Sequence, residues 1–336
     1  GLLSGIVAIA AVLLISTVVW GSAARQKRLA ETVHEKNLFA MDTYFSLKAY
    51  GRDAKEGLFL CEKRIRELEA LLSVTAEESD VWRINHGQKA SVSEDTYHLI
   101  SEALEIGSQT GGALDITLYP VLKEWGFTTG SYQIPASDRL QELLSRVDYS
   151  EIKLWEEAGS YFAAVPEGTE IDLGAVAKGY TGDTLIGILR QQGVSSAILD
   201  LGGNVQTLGR KPDGSPWRVA VRNPLDQEQV LGILEINDKC VITSGGYERY
   251  FIGEDGEIYW HLLDPVSGAP AKNGLLSVTV VGERGVRCDA LSTALFVMGE
   301  ERAAEFWRQQ GDFEMILVTE DGRLILTEGL KDSFQA

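Results

Sequence analysis

Between residues 197 and 281 the chain reads as a succession of short strands, 197–201, 217–221, 230–236, 241–243, 250–252 and 276–281, several of them separated by glycine-containing turns. Short apolar or alternating runs bounded by Gly, Pro, Asn and Asp follow the two-residue period of a strand. Helical spacing brackets this stretch, at 54–72, 95–109, 140–146 and 178–192 before it or within it and at 289–298 and 301–310 after it. A first strand at 39–50, a hairpin of 152–154 with 161–165, and a final hairpin of 315–319 with 324–327 complete the pattern. There is no strict βαβ rhythm, and many strands follow one another through short turns. The expectation is an α+β fold with a mixed, largely antiparallel sheet and flanking helices, in preference to a doubly wound parallel sheet.

Residues 2–20 stand apart from this pattern. They are apolar except for Ser4, Gly5, Ser16 and Thr17, and no charge interrupts them. About 20 helical residues span roughly 30 Å, the hydrocarbon thickness of a bilayer. The cluster Arg25, Lys27 and Arg28 follows. Two readings stand, a retained membrane anchor or a signal peptide with Gly21-Ser22-Ala23 as its cleavage region. Either one exports the rest of the chain, given basic residues ahead of Gly1 that outweigh this cluster. The expected division is an anchor or signal segment over 1–24, a linker over 25–36 with its linker character running to 37, and one catalytic domain over 37–333. The expected place is the cell membrane, with the catalytic domain outside the cytoplasm.

Composition narrows the function classes. The 336 residues carry a formal charge of −18 and a pI of about 4.7. That balance argues against a nucleic-acid partner, whose phosphates need clustered Lys and Arg. It leaves room for a small anionic substrate, because a bound metal inverts the local potential. Cys61, Cys240 and Cys288 fit no zinc spacing, and their odd number excludes a fully paired disulfide framework.

Three segments carry chemistry. Asp289 and Thr293 lie four residues apart in an otherwise apolar helical stretch, so both oxygens fall on one helix face. They make half a site for Mg²⁺, or Asp289 is simply a cap near a helix start. In Ile171-Asp-Leu-Gly-Ala-Val-Ala-Lys-Gly-Tyr180 a strand runs through a glycine turn into a helix that starts near Ala177. A helix N-terminus with Lys178 suits phosphate, and the alternative is a tight turn with Asp172 as its local cap. His261, in Tyr259-Trp-His-Leu-Leu-Asp264, is the one histidine among aromatic and apolar neighbours, and serves either proton transfer or a structural hydrogen bond.

Taken in order, Met41-Asp-Thr43, Leu72-Ser73, Ser79-Asp-Val-Trp-Arg-Ile-Asn85, Gly112-Ala-Leu-Asp115, Trp125-Gly-Phe127, Ile171 to Gly179, Leu201-Gly-Gly-Asn204, Thr243-Ser-Gly245, His261-Leu-Leu-Asp-Pro265 and Asp289-Ala-Leu-Ser-Thr293 resemble the ApbE family of FAD:protein FMN transferases. The resemblance implies Mg²⁺-dependent cleavage of FAD, transfer of FMN to a Thr or Ser hydroxyl of an exported or membrane redox protein, and release of AMP. It also implies roles. Asp289, Thr293 and neighbouring Ser292, with the Ala175 carbonyl, match metal-binding positions. Met41, Ala113, Leu114, Asp115, Asp172, Lys178 and Leu263 match FAD-contacting positions. His261 matches the base that activates the acceptor hydroxyl, and Lys178 is expected to stabilise the charge that develops. Where many members place an aromatic residue after the Leu-Ser pair, this chain has Thr75, with Trp82 and Tyr247 as the aromatic replacements at hand. An FAD pyrophosphatase and a flavin-binding or delivery protein without turnover are the alternatives.

Overall fold

The computed structural model describes residues 31–226 and 228–336. In chain order its main elements are β1 (Val33–Ala40), β2 (Thr43–Tyr50), α1 (Ala54–Leu72), α2 (Asp80–Gly87), β3 (Lys89–Val92), α3 (Glu94–Gln109), α4 (Tyr119–Glu124), α5 (Ser137–Leu144), β4 (Lys153–Glu157), β5 (Ser160–Ala164), α6 (Ala177–Gln191), β6 (Ala197–Leu201) and β7 (Asn204–Leu208). Then come β8 (Trp217–Arg222), β9 (Val230–Ile236), β10 (Cys240–Gly245), β11 (Tyr250–Ile252), β12 (Ile258–Trp260), β13 (Leu275–Gly282), α7 (Gly285–Gln310), β14 (Glu314–Thr319), β15 (Leu324–Leu326) and β16 (Phe334–Gln335).

Eight strands form the central sheet in the order β1-β2-β6-β7-β10-β13-β14-β15. Each neighbouring pair in it is antiparallel, so the sheet is not mixed among the described residues. Side-chain alternation splits its two faces. Cys240 and Ile242 of β10 point into the large core shared with α7, whereas Val241 points into a second core under the small β16-β9-β8 sheet. The molecule is therefore layered, with helices α6 and α7 on one face of the main sheet and the small sheet on the other. A third cluster packs α1 and α6 against β1, β2 and β6, and a fourth, built on Val121, Trp125, Phe127, Leu143 and Leu263, forms a lobe around the β11–β12 hairpin.

Several expectations need correction. The 31–37 linker is in fact the start of a strand, since β1 begins at Val33 and pairs along its whole length with β2. β1 is an edge strand, exposed at every other residue and buried only at Leu38 and Ala40, so its first half lacks an apolar rhythm and carries charge instead. Glu35 faces Lys48 across the pair at 2.7 Å. The single strand over 39–50 is a hairpin, turned by Met41 and Asp42 at φ 48° and 61°. Two successive left-handed residues match the twist of a two-residue hairpin loop. Ile171 is not in a strand. Its N–H and C=O are held instead by the Asn85 amide at 2.8 and 2.9 Å, so a side chain does the work of a neighbouring strand. The helix expected from Asp289 begins a turn earlier, at Gly285. Its two halves were legible in the sequence because Gly299, at φ 78°, breaks the helical backbone between them. Asn273 donates to the freed carbonyls of Phe296 and Val297 at 2.7 and 3.1 Å. The apolar segment 2–20 lies outside the described residues. Among those described, no helix is long and apolar enough to cross a membrane.

α6 and α7 cross at two glycines. A Cβ on Gly179 would lie 2.2 Å from the Gly285 carbonyl oxygen and 2.7 Å from the Asp289 Cβ. Gly179→Ala is accordingly expected to cost about 1–3 kcal/mol, the range for overpacking a tight contact. Denaturant unfolding checks this, and a wild-type midpoint would show that the helices can part freely.

Candidate active site

The site begins where the two helix N-termini meet. The free N–H groups of a first turn need acceptors. Asp289 of α7 accepts from the Gly179 N–H of α6 at 2.8 Å. Asp183 of α6 accepts from the Gly285 and Val286 N–H groups of α7 at 2.6 and 3.0 Å. Each helix caps the other. Asp289 is thus a cap, though for a helix more than 100 residues earlier in the chain. The bond has a second consequence. In a regular helix Gly179 N–H would bond the Ala175 carbonyl, and among the described residues that carbonyl has no hydrogen-bond donor.

Asp289 is only 5% exposed, and burial holds its carboxyl above the usual range, with Lys178 and the Gly179 N–H opposing. No cation forms an ion pair with it among the described residues, and its Oδ1 has no hydrogen-bond partner. A turn later, Ser292 donates to the Asp289 carbonyl at 2.8 Å. Its one proton is then committed, so the 2.7 Å contact from Ser244 of β10 to Ser292 is donated by Ser244. Thr293 touches the same Ser244 hydroxyl at 3.3 Å and is the least committed of the three. One carboxylate, three hydroxyls and a free carbonyl form an all-oxygen donor set, which fits a hard divalent cation. Among the described residues no three His, Cys, Asp or Glu side chains form a metal cluster, so a cation here would depend on hydroxyl and carbonyl oxygens.

Lys178, next to Gly179, ties the rest together. Its charge favours the ionised forms of Asp172, Asp289 and Glu248, and opposes protonation of His261. Glu248, His261 and Asp289, from three distant segments, thus lie within electrostatic reach of the same ammonium group as the nearby Asp172. His261 is pushed down to about 4, chiefly by desolvation and then by the Arg249 and Lys178 charges, with a hydrogen bond to Arg249 opposing. The ring keeps an open side and is only half-buried. Its Nδ1 lies 3.2 Å from the Arg249 carbonyl, which can only accept. Nδ1 must therefore carry the proton, and Nε2 holds the lone pair a base requires. Asp172 serves a local turn, accepting from the Gly174 N–H at 2.8 Å, and burial raises its carboxyl while Arg249 and Lys178 pull it down.

Residues 41–317 match the ApbE family. The chain belongs to that family. It is 32% identical over 293 residues to an FAD:protein FMN transferase of Escherichia coli strain K12, covering 84% of this chain and 83% of that one. A namesake from Klebsiella pneumoniae strain 342 is 37% identical over 267 residues, covering 78% and 82%. Among solved structures, the ApbE protein of Thermotoga maritima superposes with a TM-score of 0.84 at 29% identity, covering 91% of this chain and all of that one. Flavin transferase ApbE from Vibrio cholerae gives 0.79 at 27% identity, covering 90% and 99%.

The remaining expected residues of this ApbE chain divide into near and far. Met41 reaches α6, where the Thr181 hydroxyl lies 3.7 Å from its sulfur, and its N–H is held by Glu69 at 2.7 Å. Ala113 and Leu114 are buried, and Asp115 spends its carboxylate on Thr117 and the Tyr149 N–H. This segment meets the site through backbone, the Asp172 N–H donating to the Ile116 carbonyl at 2.9 Å. Leu263 packs in the aromatic lobe instead of among the charged groups, two residues beyond His261. Of the two replacement aromatics, Trp82 stacks on His86 at 4.0 Å, whereas Tyr247 adjoins Glu248 and covers Gly245.

Glu248, Arg249 and Asp183 were not singled out by sequence, and Asn85 and Ser244 stood only as members of motifs, with no role of their own. Surrounding protein raises Glu248 to about 7 although the residue keeps a face to solvent, with Lys178, Arg222 and Arg249 pulling it down and Asp289 pushing it up. Burial raises Asp183 to about 6 against its two N–H donors. The one available signal was position, since Glu248 and Arg249 lie three and four residues beyond the Thr243-Ser-Gly245 motif.

An NMR titration of the His261 ring should give a midpoint near 4. In the unfolded chain the ring takes its proton near 6.5, so between about 4 and 6.5 the unfolded state binds more protons and stability rises with pH. This contribution is complete above about 6.5 and is lost as pH falls through about 4. A midpoint at the unperturbed value would refute the desolvated, cation-flanked setting.

Proposed function

We propose that this chain is a Mg²⁺-dependent FAD:protein FMN transferase. It moves FMN from FAD to a Thr or Ser hydroxyl of an exported or membrane redox protein and releases AMP. The observation that carries this reading is the exchange of caps by Asp289 and Asp183 at the junction of two helix N-termini, beside Lys178, in a chain matched to the ApbE family over residues 41–317. Residues 2–20 hold the protein at the membrane with its catalytic domain outside the cytoplasm, and no nucleic acid is a partner.

Asp289, Thr293 with Ser292 beside it, and the Ala175 carbonyl would hold the ion. Bound there, Mg²⁺ supplies Lewis-acid charge to the pyrophosphate. His261 is neutral at physiological pH, and its Nε2 takes the proton of the acceptor hydroxyl. That oxygen forms a bond to the FMN phosphorus as the bond to the bridging oxygen breaks, and AMP leaves with the electron pair. Lys178 and the N–H groups of the α6 N-terminus stabilise the charge that builds on the phosphate oxygens.

The test incubates the full chain with FAD, Mg²⁺ and a flavin-acceptor domain and looks for a flavin-fluorescent acceptor band. Free FMN and AMP without a labelled band would mean hydrolysis, and FAD bound but intact would mean a carrier. Asp289→Ala is expected to abolish turnover, and activity at the wild-type level would refute its place as an ion ligand. His261→Ala should slow transfer about 10²- to 10⁴-fold with FAD still bound, the range for losing a general base. A much smaller loss would make the ring structural.

A further inference from the structure

The far end of α6 borders a second cleft, of about 540 Å³, whose walls include Arg52, Asp53, Ser195, Ser196, Arg210 and Lys211. A 15-residue helix puts it roughly 20 Å from the Lys178 end. Its charge runs against that of the chain as a whole, three cations and one carboxylate in a protein of net charge −18. None of the three cations forms an ion pair among the described residues. The Arg210 guanidinium donates only to the Gly214 carbonyl, at 3.3 Å. Asp213, the acid nearest Lys211 in sequence, accepts from the Ser215 N–H and hydroxyl at 2.9 and 2.6 Å.

The hydroxyls point the same way. Ser196 is 8% exposed, and its Oγ is buried without a hydrogen-bond partner. Buried polar atoms are normally paired, so an orphan hydroxyl lining a cationic cleft marks a place for an acceptor. α1 starts at the same cleft, where its N-cap Asp53 makes no side-chain cap bond.

We propose that this cleft binds a phosphate group, supplied by the headgroup of an anionic phospholipid. The source follows from the path of the chain. The Thr32 carbonyl accepts from the N–H of Gly51 in the cleft wall at 2.9 Å, so the polypeptide leading from residues 2–20 joins the domain at this rim. A segment lying in a bilayer would bring lipid headgroups to Arg52, Arg210 and Lys211 and leave the catalytic end facing away. The lipid assignment rests on the membrane reading of residues 2–20, whereas the phosphate site itself does not.

Calorimetry on the full chain in a non-ionic detergent tests both parts, with dihexanoyl phosphatidylglycerol, dihexanoyl phosphatidylcholine and inorganic phosphate as titrants. The phosphatidylglycerol is expected to bind, and to bind at least about tenfold more weakly to the triple variant Arg52→Ala, Arg210→Ala, Lys211→Ala, because three charge-assisted contacts are lost. Ser196→Ala should weaken it in the same direction, and FAD affinity should stay unchanged in both variants as the folding control. Phosphatidylcholine binding as tightly as phosphatidylglycerol would overturn the anionic-lipid assignment, as would inorganic phosphate binding more tightly than either. Absence of binding by every titrant, or equal binding by the triple variant, would overturn the site. Failure of FMN transfer or of membrane attachment would appear in separate assays and would leave these affinities untouched.

Discussion

The site depends on the exchange of caps between two helices. Two helix N-termini brought together repel through their dipoles and leave N–H groups unsatisfied. Asp289 and Asp183 resolve both problems, each reaching across to the other helix. Gly179 and Gly285 let the backbones approach closely enough for those bonds to form, and the Gln206 amide closes the third side with a 3.0 Å bond to the Gly179 carbonyl. From this junction the positions of Lys178, the free Ala175 carbonyl, Ser292 and Thr293 all follow, because each sits within a turn or two of a fixed point.

The same junction explains how an acidic chain accommodates an anionic ligand. What governs binding is the local field at the site and not the net charge of the chain. Lys178, Arg249 and Arg222 supply positive charge among carboxyls that burial already pushes toward neutrality. Desolvation first, then the Arg249 and Lys178 charges, keeps the His261 ring neutral, while the Arg249 carbonyl fixes its tautomer. A single residue, Arg249, thus acts on the histidine through both its charge and its backbone.

Legibility differed by kind of feature. α1 was readable to the residue because Leu58, Cys61, Ile65, Leu68 and Leu72 repeat at helical spacing on its buried face. β1 was missed because an edge strand has little buried face to announce it, and the 39–50 strand concealed a turn because Met41 and Asp42 adopt φ values uncommon outside glycine. Asp289, Thr293, Lys178 and His261 stood out in the sequence as candidate residues because each lies in a recognisable local motif. Glu248 and Asp183 did not, since a lone acid in a sequence looks the same whether it faces solvent or a buried helix end.

By itself, then, the sequence determined the α+β class, most elements and family membership, because these are properties of periodicity and of ordered local motifs. Only tertiary structure decided which oxygen caps which helix, which carbonyl is left free, which imidazole nitrogen holds the proton and which cations stay unpaired. Those outcomes depend on contacts between residues as much as 110 positions apart, and on the desolvation that packing them together imposes. No local pattern encodes either one.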